Sequence, residues 1–278
     1  MPNPPQNHEP MITDFDTTTA CFSSLLTTYK CWQNLAHNLS EAQVPIRFIH
    51  HTKDLWVRDF MPIQVRADRF VQFRYAPDYL SRLPIYRADP EPCTAPLNLP
   101  LTHSDILLDG GNVIRLANCI LLSDRVLRDN PVYSPLQLVA ELERLLETEV
   151  VIFPSDPYER TGHADGMVRY VGGNRLLINH YADFDPALLR KLRCALSPRF
   201  DLVELHFGTD RFLDLSWAYL NFLHIGRLCF VPQLGITTDA LALRQIAEII
   251  HLDVIPVPAR SVVKLGGGLN CISWTIKG

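Results

Sequence analysis

No apolar run in the 278 residues approaches the length of a membrane span, and neither Cys-x-x-Cys nor His-Glu-x-x-His occurs. The first absence argues against a membrane partner, the second against a structural or catalytic zinc; no metal and no cofactor is expected. A basic stripe is also missing, and the formal net charge of −4 argues against nucleic acid as a partner. The opening stretch, Met1 to Pro10, is polar and Pro-rich and does not read as a secretory signal. Seven cysteines, an odd number without short-spaced pairs, predict free thiols in a reducing, cytoplasmic setting. What remains is the composition of a soluble globular protein, 47% hydrophobic and 20% charged, long enough to bury a sizeable core.

Cys271 follows Gly266-Gly267-Gly268 by way of Leu269 and Asn270. A glycine run lets the backbone approach a ligand or adopt dihedrals that a Cβ forbids, so a cysteine behind it reads as a displayed nucleophile. A small buried hydrophobe is the competing reading. Four polar motifs precede it: Trp56-Val57-Arg58-Asp59, Asp109-Gly110-Gly111-Asn112, Gly162-His163-Ala164-Asp165 and Tyr219-Leu220-Asn221-Phe222. From Asp59 through Asp109, His163 and Asn221 to Cys271 the steps are 50, 54, 58 and 50 residues. A near-constant period marks repeated modules whose corresponding points converge on one axis.

Hydrophobic periodicity repeats with the motifs. Strands are predicted over 112–116, 119–123 and 150–153, over 166–171, 175–181 and 202–207, and over 218–225, 228–232 and 254–257. In each set a helix precedes the last strand: 136–146, 186–196 with Pro186 in its first turn, and 239–251 with Thr238 as N-cap. The start reads as a helix over 17–38 and a strand over 45–50; the end reads as strands over 262–264 and 271–276. Joining the two ends completes a module and closes a ring, which removes exposed strand edges. The remaining unit, from Trp56, runs after residue 76 into prolines at 77, 84, 90, 92, 96 and 100, so a long loop (77–104) replaces its helix. The expected architecture is an α/β fold, one domain over 1–278 with a flexible start (1–14). It is a five-bladed α/β propeller of strand-strand-helix-strand modules with pseudo-fivefold symmetry.

Trp-x-Arg-Asp, Asp-Gly-Gly-Asn, His-x-Asp, the Tyr-x-Asn segment and the terminal Gly-Gly-Gly-x-x-Cys, in this order, resemble the guanidino-group-modifying superfamily. The branch is that of agmatine deiminase and the Porphyromonas-type peptidylarginine deiminase, and the resemblance spans Trp56 to Ser273. It implies the pentein propeller and hydrolysis of a guanidinium to a ureido group plus ammonia. The partner is then a small guanidino compound. Departures occur: Asn270 stands where the agmatine branch has His, Ser273-Trp274-Thr275 where it has Thr-Gln-Gln, and Met61 where it has Gly. The Gly-Gly-Gly-x-x-Cys-x-Ser ending is closer to arginine and dimethylarginine deiminating relatives.

The resemblance implies roles that suit a planar five-donor cation. Asp59 and Asp165 clamp the guanidinium, Trp56 walls the site, and Asn221 is a further polar site residue. His163 is the general acid and base, and Asp109 orients its imidazole around the Cys271 nucleophile. Simpler readings compete: an Asp59 salt bridge to Arg58, turn roles for Asp109 and Asp165, and a backbone-satisfied strand amide for Asn221. Carboxylates near Cys271 should raise its thiol pKa until a bound guanidinium reverses the field. An amidinotransferase and a non-catalytic guanidine-binding protein are the alternative functions. For a homodimer, the propeller rim and the aromatic segment 212–222 are the candidate surfaces, with buried packing the other reading of that segment.

Overall fold

In a computed structural model that describes residues 10–208 and 215–278, the chain ends pair with one another. Strand β1 (Thr19–Ser23) runs parallel to β2 (Ile46–Ile49) and antiparallel to the last strand of the chain, Ser273–Ile276. Ala20 thereby lies opposite both Ile46 and Thr275. The next sheet is β3 (Ile63–Arg66), β4 (Arg69–Arg74) and β5 (Leu101–Leu107), followed by β6 (Val113–Arg115), β7 (Cys119–Ser123) and β8 (Glu149–Phe153). Then come β9 (Val168–Tyr170), β10 (Arg175–Ile178) and β11 (Asp201–Glu204), and β12 (Leu223–Ile225), β13 (Leu228–Gln233) and β14 (Asp253–Pro258); Ser273–Ile276 is β15. In every module two strands form an antiparallel pair and the third lies parallel to the middle one. A parallel neighbour requires a crossover, which is where the helices fall. The result is the five-bladed α/β propeller predicted from the period.

The crossover helices are specified locally. In Pro135–Leu146, Ser134 and Gln137 form a capping box, Pro135 sits in the first turn, and Leu138, Leu142, Leu145 and Leu146 make the buried stripe. In Pro186–Leu196, Asp185 accepts hydrogen bonds from the N–H groups of Ala187 and Leu188, and Leu188, Leu189, Leu192 and Leu196 face inward. Asp239–Ile250 starts at the predicted place, but the Thr238 side chain makes no cap. Its hydroxyl meets that of Tyr219 instead, while the Asp239 carboxylate accepts from the preceding turn at Leu234 and Gly235. In the proline-rich stretch the longest helix is Pro90–Thr94, and β5 already begins at Leu101.

Three predicted elements are corrected. The helix expected over 17–38 is a strand up to Ser23, a 3-10 turn over Ser24–Thr28 and a helix only from Lys30 to Glu41. Two pairing partners, both distant in sequence, claim 19–23 for the sheet. The strand expected over 262–264 is the tail of a short helix, Arg260–Val263. The strand expected from 218 starts only at Leu223, because Ser216–Tyr219 is a 3-10 turn. Residues 1–9 of the start expected to be flexible lie outside the described residues; Met11, Ile12 and Thr13 are buried. Residues 209–214 of the chain are likewise not described, and from Ala218 to Phe222 the aromatic segment is buried, as packing requires.

The anchored start also closes one end of the axis. Arg115 on β6 and Arg169 on β9 donate to the two oxygens of Asp14, at 2.5 and 3.2 Å, and Arg115 reaches Thr275 on β15 at 3.4 Å. Phe15 packs edge-on against His224 of β12, with centroids 4.4 Å apart. Burial pushes the Asp14 carboxyl up, but Arg115, Arg169 and Arg58 together hold it well below the usual range.

Candidate active site

Each predicted site residue occupies the same place in its module, the turn that leads into the first strand. Asp59 lies in the helical turn Val57–Phe60 before β3, and Asp109 immediately precedes the 3-10 turn Gly110–Asn112 before β6. His163 and Asp165 belong to the turn Ala164–Gly166 before β9, Asn221 follows Ser216–Tyr219 before β12, and Cys271 comes two residues before β15. Turns from four of the five modules thus bring Asp59, His163, Asp165, Asn221 and Cys271 to a single cavity of about 560 Å³, which Trp56 also lines, and the fifth places Asp109 behind His163.

The thiol and the imidazole have separate partners. Cys271 directs both its backbone N–H and its Sγ to Asn221 Oδ1, at 3.2 Å each, and Sγ lies 3.6 Å from Asp165 Oδ2. Asn221 in turn donates to the Asp165 carbonyl at 3.4 Å. His163 Nε2 bonds Asp109 Oδ2 at 3.1 Å, while its Nδ1 lies 3.6 Å from Asp59 Oδ1. Asp59 also accepts the Gly111 N–H at 3.1 Å, so its partners are His163 and Gly111 and not the adjacent Arg58. Arg58 donates through Nε to the Asn270 carbonyl at 3.4 Å and through its backbone N–H to the Cys271 carbonyl.

The glycines are fixed by these approaches. A Cβ on Gly111 would lie 2.6 Å from both Asp59 Oδ1 and His163 Nδ1, and one on Gly267 would lie 2.2 Å from the Trp56 ring. Neither neighbour has room to retreat without disturbing the cavity wall.

Charge placement sets the protonation states. Burial, followed by the fields of Asp165 and Asp59, holds the Cys271 thiol well above its ordinary range, so the neutral thiol is the resting form. Burial alone would lower the His163 pKa, but Asp59 and Asp109 outweigh it and raise it to about 10. Burial pushes the Asp59 carboxyl well up, opposed by His163 and aided by Asp109 and Asp165. The Asp59 and Asp109 carboxylates thus favour the imidazolium form of His163 at neutral pH.

Two contacts escaped the sequence reading. Tyr79, on the proline-rich loop, donates to Asp109 Oδ2 at 2.8 Å, so that loop braces the imidazole's partner. Asn270, the departure before Cys271, donates to Asp165 Oδ2 at 2.7 Å and steadies the carboxylate beside the thiol. The triple-glycine motif pointed to Asn270 by position, but no local signal marks Tyr79. Among the described residues, no group of three or more His, Cys, Asp or Glu is placed to hold a metal, and no helix is long and apolar enough to cross a membrane.

Fold and site together define an α/β propeller whose entry turns set a thiol, an imidazole and paired carboxylates around one cavity. The chain belongs to the Porphyromonas-type peptidyl-arginine deiminase family, which matches it over residues 11–276. A protein of Lactococcus lactis subsp. lactis, provisionally named agmatine deiminase, is 25% identical over 229 residues, covering 70% of this chain and 59% of that protein. A similarly named Vibrio parahaemolyticus protein is 26% identical over 60% of this chain and 54% of its own length. The matches thus span little more than half of these relatives. Among solved structures, the agmatine deiminase of C. jejuni superposes with a TM-score of 0.77 over 97% of this chain and 96% of that one, at 18% identity. An amidinotransferase from Microseira wollei does so with a TM-score of 0.65 over 96% of each chain, at 13% identity. At these identities the structures share the fold.

Proposed function

We propose that this protein is a deiminase that hydrolyses a guanidino compound to a ureido product and ammonia through a covalent Cys271 amidino-thioether. The observation that carries the reading is the meeting of the Cys271 thiol with the Asp59 and Asp165 carboxylates in the cavity lined by His163. A guanidinium is a fixed cation with paired donors, and two buried carboxylates are its natural acceptors.

Arrival of that cation offsets the carboxylate field and lowers the thiol pKa, so that a proton leaves Cys271 as substrate binds. The thiolate adds to the central carbon. The imidazolium of His163 gives its proton to one nitrogen, which departs as ammonia and leaves the amidino group on sulfur. The neutral imidazole then takes a proton from a water molecule that attacks the same carbon, and the C–S bond breaks to release the urea and the thiolate. Asp109 keeps the ring oriented through both halves, and Asn221 and Asn270 hold the thiol and the Asp165 carboxylate in place.

The amidinotransferase reading shares the first half and is favoured by one observation, the similarity in fold to an amidinotransferase. A colorimetric ureido assay with agmatine, arginine, dimethylarginine and a blocked peptide arginine, run beside Cys271→Ser, tests the deiminase. Cys271-dependent ureido product is expected. A mass adduct on Cys271 that turns over only with an added amine points to the transferase, and neither product nor adduct overturns both.

A further inference from the structure

The mouth of the cavity is more apolar than a guanidinium site requires. Among the described residues nine large hydrophobic side chains are exposed, and four of them, Leu83, Tyr86, Tyr158 and Leu265, line this cavity. Tyr158 is 80% exposed and Leu265 54% exposed, and Ile85, between Leu83 and Tyr86 in the chain, is 70% exposed. They come from three separate segments, the proline-rich loop, the turn before His163 and the approach to the triple glycine, and the half-buried Trp217 adds a fourth side to the lining. Isolated exposed apolar residues need no explanation, but convergence on one opening does.

Size and charge restrict what could cover this rim. A cavity of about 560 Å³ lies in the range of about 300–1,000 Å³ typical for ligands of drug size, well beyond the needs of a guanidinium and a short alkyl arm. Asp54, Asp59, Asp156, Glu159 and Asp165 line it, against His163 and an exposed Arg160 whose Nη2 donates to the Tyr79 carbonyl. A free carboxylate on the distal end of the substrate would meet net negative charge, whereas a neutral apolar group meets Leu83, Tyr86, Tyr158 and Leu265.

We infer that the substrate carries its guanidinium on a larger neutral, apolar body, a guanidinoalkane acylated or arylated at its far end, which lies on this rim. The inference rests on the deiminase reading and deepens it. Covering the four side chains removes apolar surface from water and contributes to binding, while the clamp at Asp59 and Asp165 fixes the reacting end.

The test uses the full chain with N-benzoylagmatine, agmatine, arginine and a blocked peptide arginine. The kcat/KM for N-benzoylagmatine is expected to exceed that for agmatine by about tenfold or more, chiefly through KM. Leu83→Ser and Tyr158→Ser, at exposed positions where folding is not at stake, should lower that ratio about fivefold. Calorimetric titration of Cys271→Ser with the same compounds gives the binding preference independently of turnover. Equal or better turnover and binding of agmatine or arginine overturns the inference and leaves the deiminase standing; the blocked peptide arginine, neutral and acylated, should follow N-benzoylagmatine. A binding preference for N-benzoylagmatine without ureido product from any compound supports the rim as the place where the ligand's apolar body lies and removes the deiminase.

Discussion

The Cys271 sulfur lies 3.6 Å from a carboxylate oxygen of Asp165, and the same oxygen accepts the Asn270 amide at 2.7 Å. A nucleophile placed against a fixed anion is held as thiol until a cation arrives, and Asp165 is also a group suited to attract that cation. On the proposed function, thiol dormancy and substrate recognition share one atom.

The thiol should therefore titrate differently with and without ligand. Ultraviolet titration of thiolate, taken as the difference between the wild type and Cys271→Ser, is expected to give a lower apparent pKa in the presence of a non-reactive guanidine. Asp165→Asn should lower the pKa of the free protein and abolish the ligand effect. An unchanged pKa on guanidine binding would remove the link between recognition and activation.

Asp109→Asn leaves the shape of the site intact while removing the charge that braces His163. Activity should fall by about 10²–10⁴, the usual span for general acid–base catalysis. With His163 raised to about 10, the wild-type profile should lose kcat/KM on the alkaline side near that value. The substitution removes one of the carboxylates that raise the imidazole, so the alkaline limb should move to lower pH. Stability follows the same sign: the His163 contribution is complete below its unfolded pKa of about 6.5 and disappears as pH rises through about 10. The difference in Tm between wild type and His163→Gln should shrink across that interval.

Gly267→Ala tests the close wall of the cavity. Its Cβ would lie 2.2 Å from the Trp56 ring, so a loss of about 1–3 kcal/mol in urea unfolding is expected together with weaker guanidine binding. Gly173 has φ +61° and no heavy atom within 4 Å of the place a Cβ would take, so Gly173→Asn should be tolerated in both measurements.

Asp14→Ala leaves Arg115 and Arg169 buried without their shared carboxylate, a change expected to cost about 3–5 kcal/mol in denaturant unfolding. Because the Asp14 carboxyl is depressed, its contribution is present above the unfolded carboxylate pKa near 4 and is lost only as pH falls toward the folded value. The gap in stability between wild type and variant should therefore narrow under strong acid, measured at matched ionic strength.

Helices such as 135–146 and 186–196 were legible because their caps, first-turn prolines and leucine stripes are local and reinforce one another. The five site motifs were legible because each module repeats the same turn before its first strand. Residues 19–23 were not, since Cys21 and Phe22 serve a helix as well as a strand until β2 and β15 are brought alongside. Nor was the bond from Tyr79 to Asp109, thirty residues away across an irregular loop.

The amino-acid order by itself determined the modular period, the crossover helices and the residue types delivered to the centre, because these depend on spacing along the chain. Only the tertiary structure decided which atoms meet there. It set the thiol against Asp165 and Asn221, placed the imidazole between Asp59 and Asp109, and moved Asp14 from an apparently loose start to the floor of the axis. Such contacts depend on closing the ring, and the angles at which five modules converge are fixed by packing between residues far apart in sequence.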